Sequence, residues 1–264
     1  MQDLNVTVVQ SDIVWAAKDE NIARLDAKLS GLEAQNGLVV LPEMFTTGFN
    51  MKPNTCYEEM DGTSMAWMLR KASALNSVVC GSLLIKEHSD FVNRFIWMQP
   101  DGNYLYSDKK HLFRMAGENT VFKPGNSRII ATAGGFRFLL LVCYDLRFPV
   151  WSRNTYKNES YAYDAIIYTA NWPASRNYVW KTLLMARAME NQAFVIGVNR
   201  IGKDFNGTAH SGNSTVVSPK GEIICEAPQN EEAVLTVTMN KESLDTYRAS
   251  FLNAADWDSF ELKH

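Results

Sequence analysis

The residues best suited to covalent chemistry close two apolar runs. Leu139-Leu140-Leu141-Val142-Cys143-Tyr144-Asp145 is strongly apolar up to a cysteine and polar directly after it. Where a buried strand ends and the chain turns toward a helix, the side chain projects from the sheet and the next backbone N–H groups point back at it. A thiolate at Cys143 would be stabilised there, with donors beside it for an oxyanion, which is the chemistry of acyl transfer. The alternative reading is that Cys143 is one more small buried packing group, as free cysteines commonly are. Glu43 closes the second run, in Leu38-Val39-Val40-Leu41-Pro42-Glu43-Met44-Phe45. Partial desolvation predicts a raised pKa useful to a general base, unless Glu43 is a solvated turn residue or helix cap. Lys109 and Lys110 precede His111-Leu112-Phe113. Successive side chains alternate in an extended segment, so one lysine can enter a site while the other faces solvent. An ammonium beside Glu43 and Cys143 would favour the thiolate and then steady the oxyanion, the alternative being an exposed basic pair. His111 reads as a loop-orienting hydrogen-bonding group, because Glu43 already supplies a base.

These residues need strands to carry them, and the chain alternates short apolar runs with helical spacing. Residues 4–9 and 38–41 read as buried strands joined by a helix over 20–32, where Ile22, Leu25, Leu29 and Leu32 recur at helical spacing. A second helix is predicted over 63–75, then strands over 78–85, 91–98 and 104–107, the last two reversing at Pro100-Asp101-Gly102. Further strands are predicted over 136–143, 165–169, 194–198, 214–217, 223–225 and 233–237, with a helix over 178–190. About ten strands are many for one open sheet, which predicts an α/β fold of two stacked mixed sheets with helices outside.

The 264 residues suit one large domain spanning 1–264, with enough apolar content for a substantial core. Acidic and basic residues nearly balance and form no blocks, so neither a nucleic-acid nor an anionic-membrane partner is expected. No apolar stretch approaches a membrane span and no basic leader precedes an apolar run, so a cytoplasmic location is expected. Cys56, Cys80, Cys143 and Cys225 are too few for a disulfide scaffold and lack zinc-knuckle spacing. No metal site and no cofactor motif is found, so metal-free and cofactor-free chemistry is expected.

Taken together, the three segments resemble the motifs of the nitrilase superfamily of carbon-nitrogen hydrolases. Leu41-Pro42-Glu43 looks like its glutamate motif, Lys109-Lys110-His111-Leu112-Phe113 like its lysine motif, and Cys143-Tyr144-Asp145-Leu146-Arg147-Phe148-Pro149 like its cysteine elbow, in the family's order. Thr169-Ala170-Asn171-Trp172-Pro173, Arg187 to Gln192 and Val198 to Gly202 extend the likeness over nearly the whole chain. The resemblance implies a four-layer αββα sandwich, a homodimer or higher homo-oligomer across a helical face, and a Glu43, Lys109, Cys143 triad. It also implies a second carboxylate after the lysine motif. Glu118 fills that position, as a substrate-orienting or proton-relaying group or else as a surface acid.

Within the superfamily, residues 109–118, Asn171-Trp172-Pro173 and Trp180-Lys181-Thr182-Leu183-Leu184 most resemble bacterial omega-amidases, which deamidate 2-oxo acids such as 2-oxoglutaramate. That implies a small-molecule amide as partner and hydrolysis through a thioester, with the Tyr144 N–H sharing the oxyanion. A monoamide of a dicarboxylic acid needs an anchor for its free carboxylate. Arg176 can bind one in two-point fashion, unless it is a solvated loop arginine. Phe45, Phe113, Tyr144 and Trp172 are candidate pocket walls or ordinary aromatic core. Nitrile or carbamoyl-amine hydrolysis with the same triad, a non-catalytic interaction protein on this fold, and a thiol redox sensor are the rival readings.

Overall fold

The computed structural model describes residues 3–33 and 36–262, and the remaining six positions lie outside it. Strand β1 (Leu4–Gln10) leads into helix α1 (Lys18–Leu29) and returns as β2 (Leu38–Val40). Helix α2 (Thr63–Leu75) connects to β3 (Val78–Glu87), which continues into β4 (Asp90–Met98) and β5 (Tyr104–Asp108). A long loop precedes β6 (Ile130–Ala133), β7 (Phe136–Val142), the short helix α3 (Pro149–Ser152) and a ribbon of β8 (Tyr156–Lys157) with β9 (Ser160–Tyr161). Then come β10 (Ala165–Ala170), α4 (Asn177–Asn191), β11 (Phe194–Asn199) and a second ribbon of β12 (Ile201–Lys203) with β13 (Ala209–Ser211). Strands β14 (Thr215–Val217), β15 (Ile223–Glu226) and β16 (Ala233–Met239) precede helix α5 (Lys241–Ser250).

Two six-stranded sheets result, ordered β16-β1-β2-β3-β4-β5 and β15-β14-β11-β10-β7-β6. Both are mixed: β1, β2 and β3 run parallel, as do β7, β10 and β11, with antiparallel strands toward the edges. Period-two alternation explains the stacking. Leu38, Val40, Cys80, Phe95 and Trp97 point from the first sheet into one core with Phe138, Leu140 and Ile167 of the second. The intervening Val39, Val79 and Ile96 point the other way, onto Leu25 and Leu29 of α1 and Met68 and Leu75 of α2. Trp180, Leu184 and Ala188 of α4 cover the outer face of the second sheet. The layers are therefore αββα.

Most elements fall where the patterns placed them. Helix α1 begins two residues earlier than predicted, and the hairpin turns at Gly102, whose φ of 89° suits glycine. The strand predicted over 136–143 stops one residue short, because Cys143 itself turns. No long helix follows it. A five-residue 3-10 turn, Cys143–Arg147, leads into the four-residue α3. Strands β6, β8, β9, β12 and β13 and helix α5 have no counterpart in the sequence reading. Among the described residues, no helix is long and apolar enough to cross a membrane.

Candidate active site

Cys143 leaves β7 with a φ of 45°, in the left-handed region that a non-glycine residue occupies at a cost in strain. The turn that holds it there is fastened by Asp145. One carboxylate oxygen accepts the Val142 N–H (3.0 Å); the other accepts the His111 N–H (2.9 Å) and meets His111 Nδ1 (2.8 Å). The His111 ring stacks on Phe148 at 3.7 Å. His111 thus does orient its loop, and Asp145 ties the cysteine turn to the lysine segment. Asp145 carries no signal in the sequence beyond its place in the cysteine segment.

Glu43 sits past the end of β2, fully buried, with Met44 after it also left-handed at φ 44°. Its Oε1 accepts from Lys109 Nζ (2.9 Å) and Asn93 Nδ2 (2.8 Å), and its Oε2 from the Asn171 N–H (2.7 Å). The Asn171 amide also donates to the Glu43 carbonyl at 2.6 Å. Lys109 follows β5, and its backbone N–H donates to the Asn93 carbonyl (2.9 Å), which aims the side chain inward. Lys110 instead lies over the Trp151 ring at 5.3 Å, so the two lysines diverge as extended backbone requires. On its far side Lys109 Nζ meets Glu118 at 2.9 Å, and Glu118 also accepts the Phe113 N–H. Glu118 is completely buried, which excludes the surface-acid reading, and it reaches Lys109 without lining the cavity.

A cavity of about 260 Å³ opens over these groups, with Glu43, Lys109, Cys143 and Asn171 in its wall. Tyr144, Phe113, Trp172 and Arg176 line it. Phe113 and Tyr144 meet edge to face at 5.1 Å, and the Arg176 guanidinium lies over Phe113 at 5.4 Å. Phe45 does not line it. The ring is 1% exposed and packs on Trp67 at 5.7 Å in the cluster beneath α2, where Gly81 leaves it room. Arg147, over the Trp172 ring at 5.1 Å, joins the wall without a sequence assignment, as do Phe49, Asp204 and His210. Arg147 stands inside the quoted cysteine segment, so its signal was present. The other three lie in loops and a short ribbon with no pattern of their own.

Burial and charge set the protonation states, and two differ from the sequence expectation. Burial pushes the Glu43 carboxyl up, but the Lys109 ammonium and the Asn171 N–H outweigh it and hold the group below its ordinary value. Burial and then the Glu43 charge push the Cys143 thiol well above the ordinary thiol range, although Lys109 pulls the other way. The ligand-free pair is therefore thiol and carboxylate, with no preformed thiolate. Burial would neutralise Lys109, yet Glu118 and Glu43 keep its ammonium charged. Glu118 is held above its ordinary value by burial, which Lys109 offsets only in part.

Comparison with known proteins agrees with this geometry. The model of the carbon-nitrogen hydrolase family matches residues 5–249. Omega-amidase YafV of Escherichia coli is 42% identical over 262 residues, spanning 99% of this chain and 100% of that one. A 2-oxoglutaramate amidase of Bacillus subtilis is 29% identical over 232 residues, 87% of this chain and 88% of that one. Among solved structures, a CN-hydrolase superfamily protein of Xanthomonas campestris with an arsenic adduct in its active site is 39% identical. It superposes with a TM-score of 0.97 over the whole of both chains. The chain belongs to the carbon-nitrogen hydrolase family.

Proposed function

We propose that this protein hydrolyses the terminal amide of short 2-oxo dicarboxylic acid monoamides, of the 2-oxoglutaramate type, to the acid and ammonia. The observation that carries the reading is the buried cluster of thiol, carboxylate and ammonium around Cys143 at a small cavity bordered by two guanidinium groups. As the sulfur attacks the amide carbonyl, Glu43 takes the thiol proton, and the Lys109 ammonium and the Tyr144 N–H stabilise the oxyanion. Collapse breaks the C–N bond, Glu43 returns the proton to the leaving nitrogen, and ammonia departs from a Cys143 thioester. Water then attacks the thioester with Glu43 again as base, which restores the thiol and frees the acid. Glu118 positions Lys109. Arg147 and Arg176, both in the cavity wall, are assigned to the distal carboxylate on this reading, since guanidinium matches it in two-point geometry. A cavity this small suits a short acid better than a drug-sized ligand. Similarity to omega-amidases along the full chain supports the choice of substrate. Exposed Val150, Tyr178 and Met189 on α3 and α4 support a homo-oligomer across that helical face.

The test is ammonia release from a panel of ω-monoamides and aliphatic nitriles, with Cys143→Ala as control. Turnover of the 2-oxo monoamides but not of the nitriles, abolished in the control, is expected. A Glu43→Gln variant should lose turnover without accumulating an adduct on Cys143, because the same carboxylate takes the thiol proton in acylation and activates water in deacylation. Activity that survives Cys143→Ala would overturn the mechanism.

A further inference from the structure

The amidase reading asks one carboxylate to handle every proton. Glu43 takes the thiol proton, returns it to the leaving nitrogen and then takes one from water, but its two oxygens are not equivalent. Oε1 accepts from Lys109 Nζ at 2.9 Å and from Asn93 Nδ2 at 2.8 Å. A carboxylate oxygen offers about two lone-pair sites, so these donors leave Oε1 none for a proton. Oε2 has one close donor, the Asn171 N–H at 2.7 Å. The Asn171 side-chain amide stands 3.5 Å from Oε2 and makes its short bond, 2.6 Å, to the Glu43 carbonyl instead. A site on Oε2 therefore stays open. The same Asn171 N–H also faces the Cys143 sulfur, which places the thiol on the Oε2 side of the carboxylate.

Asn93 is the member of this set that the mechanism leaves without a role. It lies on β4, fully buried, on the inward face that also carries Phe95 and Trp97, and it is absent from the cavity wall, so it does not touch substrate. Its amide must turn the nitrogen toward Glu43, because a carboxylate only accepts. That leaves Asn93 Oδ1 closed to solvent with no hydrogen-bond partner among the described residues. An unpaired buried oxygen lowers stability. A residue serving packing alone would be apolar here, as Phe95 and Trp97 are, so the value of the amide lies in its bond to Glu43. The Asn93 carbonyl also accepts the Lys109 N–H at 2.9 Å, so one residue sets both donors of Oε1.

We propose that Asn93 is a positioning residue: with Lys109 it fills Oε1 of Glu43, fixes the rotation of the carboxylate and confines the proton transfers to Oε2. The proposal rests on the amidase reading and deepens it.

Ammonia release from 2-oxoglutaramate is measured for the wild type, Asn93→Leu and Phe95→Leu, with rates expressed per folded protein. Leucine matches the amide closely in size and lacks its donor. In Asn93→Leu, kcat and kcat/KM should fall together by about ten- to a hundredfold, because acylation and deacylation share Oε2 while the cavity wall is untouched. Phe95→Leu, a packing change on the same face of the same strand, should lower the urea midpoint and keep kcat. An unchanged kcat in Asn93→Leu, a loss confined to KM, or an equal loss of kcat in Phe95→Leu would assign Asn93 a packing role and overturn the inference while leaving the amidase reading intact. Wild-type protein inactive on 2-oxoglutaramate would overturn the amidase reading, and the inference with it. Should Asn93→Leu not fold, Asn93→Ala takes its place, since it removes the same donor and the same outcomes decide.

Discussion

Cys143 departs most from what its position in the sequence suggests. A cysteine at a strand end followed by free N–H groups reads as a ready thiolate, but a five-residue 3-10 turn has little dipole to offer. The thiol also lies among buried groups beside a carboxylate that remains charged. On the proposed mechanism, proton transfer to Glu43 then accompanies attack on the substrate. Alkylation of ligand-free protein by iodoacetamide, followed as the mass of the Cys143 peptide, should therefore keep rising with pH past about pH 9. The sign follows from the raised thiol pKa, since the reactive fraction stays small below it. A plateau already at neutral pH would show a preformed thiolate and exclude this order of events. Glu43, Lys109 and Cys143 were legible as candidates because each stands in a dense local motif. Asn93 and Asp145 were not, because their meaning lies in partners 50 and 34 residues away.

At the scale of elements, legibility followed apolar pattern. Strands β2, β3 and β4 alternate between two cores, and α2 carries a clear apolar stripe, so each was predictable within a residue or two. Helix α5 has no such stripe. Of its ten residues only Leu244 and Arg248 are buried. It is held by charge, with Arg248 and Lys241 meeting Asp164 at 2.7 and 3.0 Å and Arg137 reaching the same carboxylate at 3.1 Å. Its one sequence signal is the Asn240 cap, whose side chain accepts the Ser243 N–H at 2.7 Å. Burial opposes ionisation of Asp164, but Arg137, Lys241 and Arg248 prevail and hold its pKa at about 2. A depressed carboxylate pKa adds stability that is complete above the ordinary value near 4 and is lost as pH falls toward 2. Asp164→Asn should cost about 3 kcal/mol in urea unfolding at neutral pH, since removing one member strands buried cations. It should also flatten the stability curve between about pH 4 and pH 2. An unchanged curve would mean that α5 docks by other contacts.

The whole molecule decides whether the site exists at all. Glu43 and Lys109 follow strands β2 and β5 of the first sheet, whereas Cys143 and Asn171 follow β7 and β10 of the second. Their short distances are therefore a property of the sheet stack, and no local segment can form the site alone. The stack is held by side chains such as Trp97 of β4 and Phe138 of β7, whose rings meet at 5.3 Å between the sheets. If the sheets separate only when the whole core unfolds, catalysis and global structure must be lost together. Ammonia release and fluorescence of the seven tryptophans should then share one urea midpoint. Phe138→Leu leaves part of that volume unfilled and should lower stability by about 1–2 kcal/mol, moving both midpoints by the same amount. Activity vanishing at clearly lower urea than the fluorescence change would mean that one sheet can shift against the other while the rest stays folded. The cavity would then belong to a separate, weaker contact than the core that Trp97 and Phe138 define.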